Sequence, residues 1–343
     1  MFDLDKGLKL KKLYIENYKV IKEFKIDFTD SIDKPLPIII IAGVNGSGKT
    51  TLLDYIYTTA FSIDCLDKNS FLKIQLNNQS LTLDNKNNEE YPLTYIKVFD
   101  DNIKDIKKSI LDYFRKLSRE KDSYLKALKE IQIIIDNFFE SLNLQFTIED
   151  IDDIDRDNEK VTFRNINNNK IFSIESLSTG EKTLLSKVLY LYFRNIKNQI
   201  ILIDEPELSI HPTWQSSILK IYEDFANKNN CQIIIATHSP HIIGSAKSEW
   251  IRLLTEDGVI DNISKSYGLE FNKVLTDIMG LENLRTPDVA KQINKLWEFL
   301  ENEDYSSNEY KNLYKELENM LGNLDKDIIL ARLEVAKLKS QNA

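Results

Sequence analysis

Residues 37 to 53 read PIIIIAGVNGSGKTTLL, from Pro37 to Leu53. Ile38 to Ile41 and Ala42 form an apolar, β-branched run of the length of a buried strand. Gly43-Val44-Asn45-Gly46-Ser47-Gly48-Lys49-Thr50 follows, and from Thr51 through Tyr57 the apolar spacing turns helical. The pattern G-x-x-x-x-G-K-[ST] has a mechanism when it joins a strand to a helix in this way. Its glycines let the backbone wrap tightly, so that successive N–H groups and the positive end of the following helix face an anion. Lys49 can then reach β- and γ-phosphates, and the Thr50 hydroxyl is placed for Mg²⁺. The expected nucleotide contacts are Gly43, Asn45, Gly46, Ser47, Gly48, Lys49, Thr50 and Thr51. A glycine-rich turn with a surface lysine is the alternative, against which strand, loop and helix signals agree.

A second stretch carries the complementary charge. In Gln199 to Leu208, QIILIDEPEL, the apolar run Ile200 to Ile203 ends in Asp204 and Glu205. Carboxylates at such a strand end hold Mg²⁺ and polarise a water in phosphate-loop enzymes, which makes Asp204 the expected metal-side acid and Glu205 the expected general base. A third apolar run, Gln232 to Ala236, ends in Thr237-His238-Ser239-Pro240. All three histidines, His211, His238 and His241, fall between residues 211 and 241.

Outside these runs the chain is less explicit. Leu8 to Phe28 reads as two alternating strands, and Phe71 to Leu83 with Tyr91 to Phe99 reads as more of the same antiparallel layer, joined by a polar turn from Asp84 to Glu90. Asn102 to Leu142 is helical in spacing. Its basic residues, among them Lys104, Lys107, Lys108, Arg115, Arg119 and Lys129, are interspersed with acids, so a solvated face and a nucleic-acid or partner face both remain open. Glu149 to Glu159, EDIDDIDRDNE, reads as a flexible acidic connector rather than a set of metal ligands. Val161 to Ile174 reads as two short strands about Asn167-Asn168-Asn169, and beyond Gly268 three amphipathic helices suit a small bundle.

Composition narrows the classes. Of 343 residues 42% are apolar and 29% charged, a globular mix, and the net charge of -9 gives no global attraction to nucleic acid. Cys65 and Cys231 have no metal or redox spacing, the first residues lack an apolar leader core, and no run reaches the length of a bilayer span. A cytoplasmic protein without a membrane partner is the expectation, and no internal repeat is evident.

Just before the second stretch stands Leu177-Ser178-Thr179-Gly180-Glu181, followed by a helical run to Phe193. The order of motifs resembles the ABC-type ATPases, whose LSGGQ signature appears here as LSTGE, with departures at Thr179 and Glu181. An ordinary helix cap, with Glu181 in the first turn, is the other reading of the same residues. The resemblance implies that Ser178 and Gly180 approach the γ-phosphate of a nucleotide held by a second copy. It also implies that His238 contacts the γ-phosphate of the nucleotide held by its own chain and that Leu208 to Pro212 crosses the dimer interface. No glutamine for the Mg²⁺-linked loop is assignable, although Gln75 and Gln79 lie in the right region, and Tyr18 is a weak candidate for the adenine ring.

DEPELSIHPTWQ with ATHSP is similar to the branch that includes SMC-type DNA-repair ATPases, overcoming-lysogenisation-defect (OLD) nucleases and AAA-family ATPases of prokaryotic antiviral defence. The tail SYGLEFNKVLTDIMGLENLRTP resembles Septu and retron-associated ATPases. The expected fold is therefore α/β, a P-loop NTPase of ABC-ATPase head type with an antiparallel β lobe, a helical insertion and a C-terminal helical region. The expected divisions are 1–100 and 161–265 for the ATPase core, 101–160 for the insertion with its connector, and 266–343 for the tail. The implied activity is ATP hydrolysis with Mg²⁺ in a homodimer with shared sites, regulating a separate effector such as an HNH endonuclease. A DNA-end-binding clamp and a transporter subunit are the alternatives.

Overall fold

The computed structural model describes residues 7–61, 69–76, 79–84, 91, 93–96, 103–142, 144–153, 159–194, 196–255, 258–260, 266–281 and 284–341. Cys65, the polar turn after Asp84 and residues 154–158 of the acidic stretch lie outside them. The chain forms two compact units, Met1–Val274 and Leu275–Ala343.

The first unit is built on a six-stranded sheet. Its strands are β3 (Ile38–Ala42), β6 (Leu93–Ile96), β10 (Ile200–Asp204), β11 (Gln232–Thr237), β12 (Ile251–Thr255) and β13 (Gly258–Ile260), in the order β13-β12-β3-β11-β10-β6. All neighbours are parallel except β13, which is antiparallel to β12. The isoleucine runs of β3, β10 and β11 are wholly buried, as strands covered on both faces must be. Register places Asp204 opposite Ala236, and Thr237 opposite Ala42. Three adjacent parallel strands thus end at one level, the place where open α/β sheets offer a ligand crevice.

Tyr91 to Phe99 departs from expectation. β6 does not join the antiparallel layer but pairs in parallel with β10, Ile200 opposite Leu93. An edge strand buried only at its two ends, Leu93 and Ile96, has too few positions to declare its sheet.

The antiparallel lobe is a separate four-stranded sheet of β1 (Leu8–Tyr18), β2 (Ile21–Asp27), β4 (Phe71–Leu76) and β5 (Gln79–Asp84), ordered β2-β1-β4-β5. Two buried polar side chains fasten it to the core. Gln232 accepts from Leu10 N at 2.6 Å and donates to the Leu10 and Leu36 carbonyls at 3.0 and 3.1 Å. The Arg252 guanidinium donates to the carbonyls of Asp27, Thr29, Glu249 and Ile251. Neither could be buried without such partners.

Between the two halves of the core come α2 (Ile103–Lys121), α3 (Tyr124–Ser141) and a three-stranded antiparallel sheet of β7 (Phe146–Asp152), β8 (Lys160–Asn165) and β9 (Ile171–Ser173). The front of the acidic stretch is therefore strand, not connector: residues 149–152 belong to β7. A bulge between Ile148 and Asp150 lets Ile148 and Ile151, three apart, both reach the buried face. That break in the two-residue period hides the strand in the sequence. The sheet is filled by Phe146, Phe163 and Phe172.

The remaining helices of the first unit are α1 (Lys49–Phe61), α4 (Thr179–Phe193), α5 (Pro212–Lys228), α6 (Pro240–Ser245) and the single turn α7 (Phe271–Lys273). Rings of Phe138 on α3, Tyr192 on α4 and Phe225 on α5 pack edge to face at 4.5 and 4.7 Å, tying the insertion to the core. Among the described residues no helix is long and apolar enough to cross a membrane.

The second unit holds α8 (Pro287–Glu301), α9 (Asn308–Leu321) and α10 (Lys326–Gln341), the three expected helices. They bury Ile293, Leu296, Leu300, Tyr310, Leu317, Ile328 and Ala331 together. Arg285 donates to both Asp325 and Asp327 at 2.7–3.0 Å, bracing the start of α10. The α/β class, antiparallel lobe, helical insertion and helical C-terminal region are all present.

Candidate nucleotide site

The phosphate loop leaves β3 at Gly43 and enters α1 at Lys49. Gly46 has φ 84° with open space where a Cβ would stand, so conformation rather than room demands glycine there. Lys49 is buried, and its Nζ donates to the Gly43 and Val44 carbonyls at 2.9 Å each. Burial pushes its pKa down, while Glu205, Glu207 and Asp204 pull the other way. Thr50 Oγ1 donates to Asp204 at 3.0 and 3.3 Å. Ser47 Oγ is buried without a partner, Asn45 is exposed, and Thr51 follows Thr50 in the first turn of α1.

From the neighbouring strand end, Asp204 meets this loop with 3% of its surface exposed. Its pKa is pushed up to about 6 by burial and by the nearby Glu205, Asp54 and Glu207 carboxylates, with the Thr50 hydroxyl opposing. Glu205 adopts φ 44°, rare for a residue with a side chain, and its N–H donates to Ala236 O at 2.8 Å. His238, at the end of β11, places Nδ1 3.2 Å from Glu205 Oε1 and 3.4 Å from Glu207 Oε1, neither with hydrogen-bond alignment. Lys49, Thr50, Asp204, Glu205 and His238 are thus gathered by the ends of β3, β10 and β11.

Ser178 and Gly180 stand apart from that group, at the start of α4. Ser178 caps the helix: Glu181 N donates to Ser178 Oγ at 3.3 Å, and Ser178 N donates to Glu181 Oε2 at 2.8 Å. The departure to Glu181 therefore completes a capping box. Gly180 allows a close approach, since a Cβ there would lie 3.0 Å from Ser209 O. His211 caps α5, its Nδ1 accepting from Thr213 N at 3.3 Å, and His241 packs on Phe271. Gln75 and Gln79 sit on the β4–β5 hairpin, and the Tyr18 ring packs edge-on against Tyr55, with Lys19 Nζ over it at 5.1 Å.

Two residues escaped the sequence reading. Lys187, 2% exposed, donates to the carbonyls of Glu205, Pro206 and Leu208 at 3.3–3.5 Å, linking α4 to the loop after β10. Its signal was a single charge inside TLLSKVLYLYF, a run buried almost all round. Glu207 accepts at Oε1 from Thr237 Oγ1 and His238 N at 2.7 and 3.0 Å. Gln215 completes the network, donating to Ile210 O at 2.9 Å and accepting from Ser239 Oγ at 2.7 Å.

The donor set suits a magnesium-bound triphosphate. A buried, unpartnered Ser47 hydroxyl and a buried ammonium resting on carbonyls can both turn to phosphate oxygens. Among the described residues no cage of three or more His, Cys, Asp or Glu is present. Mg²⁺ needs none where one hydroxyl, one carboxylate, water and phosphate supply its oxygens.

Part of the basic stretch is paired with acids. Arg115 meets Asp112, Asp153 and Glu159, while Lys107 pairs with Glu175, Lys116 with Glu120 and Lys121 with Glu130. Such a face is a mixed-charge surface rather than a basic stripe.

Comparison with known proteins shows likenesses along the sequence. Residues 8–60 match the family model "AAA ATPase domain", and residues 100–244 match "AAA domain, putative AbiEii toxin, Type IV TA system". The chain is 36% identical over 102 residues to the Retron Vc95 probable ATPase of Vibrio cholerae, covering 26% of this chain and 20% of that protein. It is 32% identical over 151 residues to the Septu protein PtuA of Bacillus thuringiensis, covering 38% of each. Over 184 residues it is 30% identical to the Retron Ec83 probable ATPase of Escherichia coli, half of this chain and 33% of the other. The matched stretches span between one fifth and two fifths of these relatives' own length. The SMC head domain from Thermotoga maritima superposes at a TM-score of 0.48 with 14% identity, covering 74% of this chain and 98% of that one. The likeness to AAA-type ATPases, including ATPases of retron and Septu systems, is thus shown by sequence.

Proposed function

We propose that this chain binds and hydrolyses ATP with Mg²⁺, and that it does so as a dimer whose nucleotide state is read by a separate effector. The observation that carries the reading is the convergence of Lys49, Thr50, Asp204, Glu205 and His238 at the ends of three adjacent strands. The loop from Gly43 to Thr51 would wrap the phosphates, with Lys49 leaving its carbonyls for the β- and γ-phosphate oxygens. Thr50 and Asp204 would hold Mg²⁺, whose charge would draw electron density from the transferring phosphoryl group. Glu205 would take a proton from the attacking water, and His238 would donate to the γ-phosphate.

Ser178 and Gly180 lie on an exposed helix start, which suits residues that complete the site of a second copy. In that arrangement ATP favours a closed pair and hydrolysis an open one, so the nucleotide selects between two shapes. The Septu and retron names of the relatives support a role in anti-phage defence, and the effector proposed is a nuclease.

Purified protein should release phosphate from ATP, and Lys49→Ala should abolish nucleotide binding. Light scattering of Glu205→Gln with ATP should show a stable dimer. A monomer under all nucleotide conditions would remove the shared-site reading. Failure to copurify with a neighbouring gene product, together with no protection against phage, would remove the effector reading.

A further inference from the structure

We infer that Glu207 is a positioning residue for the nucleotide site: its carboxylate anchors the His238 backbone N–H and faces Nδ1 across 3.4 Å, keeping that edge of the imidazole inward so that the opposite edge faces the triphosphate. The inference rests on the reading of His238 as a γ-phosphate contact. It goes further in assigning a role to an acid outside the phosphate loop and the Asp204-Glu205 pair.

Glu207 lies in the short turn after β10 and is 6% exposed. One oxygen does three things: Oε1 accepts from Thr237 Oγ1 at 2.7 Å and from His238 N at 3.0 Å, and lies 3.4 Å from His238 Nδ1. The other oxygen, Oε2, is buried with no hydrogen-bond partner, as is the Tyr222 hydroxyl, whose pKa is pushed far up by burial and then by Glu207's charge. A half-satisfied buried carboxylate destabilises a fold relative to a neutral amide of the same shape. Packing and backbone support would both be met by glutamine, which keeps an oxygen for Thr237 and His238 N.

What glutamine cannot supply is the second negative charge beside Nδ1. Glu205 Oε1 lies 3.2 Å from that nitrogen as well, so two carboxylates converge on it. They oppose a flip of the ring, since a flip would turn carbon toward both acids. Nδ1 is buried although 35% of the His238 side chain is exposed, so the exposed part is the remainder of the ring, where Nε2 lies. The same contact keeps the imidazole against Glu205, the proposed base.

The test is Glu207→Gln in the full chain, with ¹⁵N-labelled histidine. Only three histidines are present, so the imidazole signals of His211, His238 and His241 can be told apart. The His238 Nδ1 signal should shift while the other two stay. The kcat for ATP should fall on the order of tenfold to a hundredfold, as when a group orienting a functional histidine is lost. KM should change by less than about threefold, and Tm should hold or rise. An unmoved His238 signal, a wild-type kcat, or a kcat loss that merely follows a lower Tm each overturns the assignment. Should the wild-type protein turn over no ATP, the hydrolysis reading fails by itself, and the histidine signals still decide the role of Glu207.

Discussion

At the ends of β3, β10 and β11 the protein buries polar groups it does not satisfy: Ser47 Oγ, Glu207 Oε2 and His238 Nδ1. There it also holds Glu205 at φ 44° and keeps Lys49 on backbone carbonyls beside three acids. In the helices α8 to α10 the pattern is reversed. Arg285 finds two carboxylates, Ser307 Oγ accepts from Tyr310 N at 3.1 Å, and a core from Ile293 to Ala331 excludes water. Among the described residues only Gln292 Oε1 is left buried and unpartnered in that region. One region leaves polar groups unmet, among them a Ser47 hydroxyl that an anion could meet, while the other satisfies its own.

That contrast implies that mutations in the first region change turnover more than folding, and in the second the reverse. The largest effect should be Glu205→Gln, lowering kcat by roughly 10²- to 10⁴-fold with ATP affinity retained, measured by phosphate release against nucleotide titration. Wild-type turnover would remove Glu205 from its role and weaken the comparison. Leu317→Ala, in the fully buried core of the helical unit, should lose about 2–5 kcal/mol in urea unfolding of that unit while leaving kcat unchanged.

Asp204 gives the sharpest case, because its effect on stability has the opposite sign. Its folded pKa of about 6 stands above the ordinary 3.8, so the protonated form is favoured by folding. Stability from this group is full below pH ~4 and is lost as pH rises through about 6, a penalty on the order of 3 kcal/mol at neutral pH. Without Mg²⁺ and ATP, Asp204→Asn should therefore raise Tm at pH 7 and flatten its decline between pH 4 and 6. With Mg²⁺ and ATP the wild type should gain stability that the variant does not. A variant less stable than wild type without ligand would contradict the strained-site picture. The smallest effect should be Ser307→Ala, removing the cap of α9 for about 1 kcal/mol, with no change in turnover.

Much of this was legible in the chain. The three apolar runs ending at Gly43, Asp204 and Thr237 announced buried strands, because a strand covered on both faces needs no polar positions. The helices of the tail were plain from their 3.6-residue spacing. Where the reading failed, periodicity was broken or too short: β6 has four residues, and the bulge at Asp150 disguised β7 as an acidic linker. Lys187 and Glu207 were missed for another reason. A charged residue in a local pattern does not reveal which distant backbone or side chain will satisfy it.

By itself the sequence determined the local chemistry, which is the phosphate loop, the acids that end one strand, the histidine that ends another and the helical tail. Each depends on neighbours within a few residues, and short-range spacing encodes it. Only the tertiary structure decided that β11 lies between β3 and β10, so that His238 stands beside Glu205, and that Glu207 turns inward beneath both. Strand order and the partners of buried charges are set by packing across the whole chain, which no local pattern records.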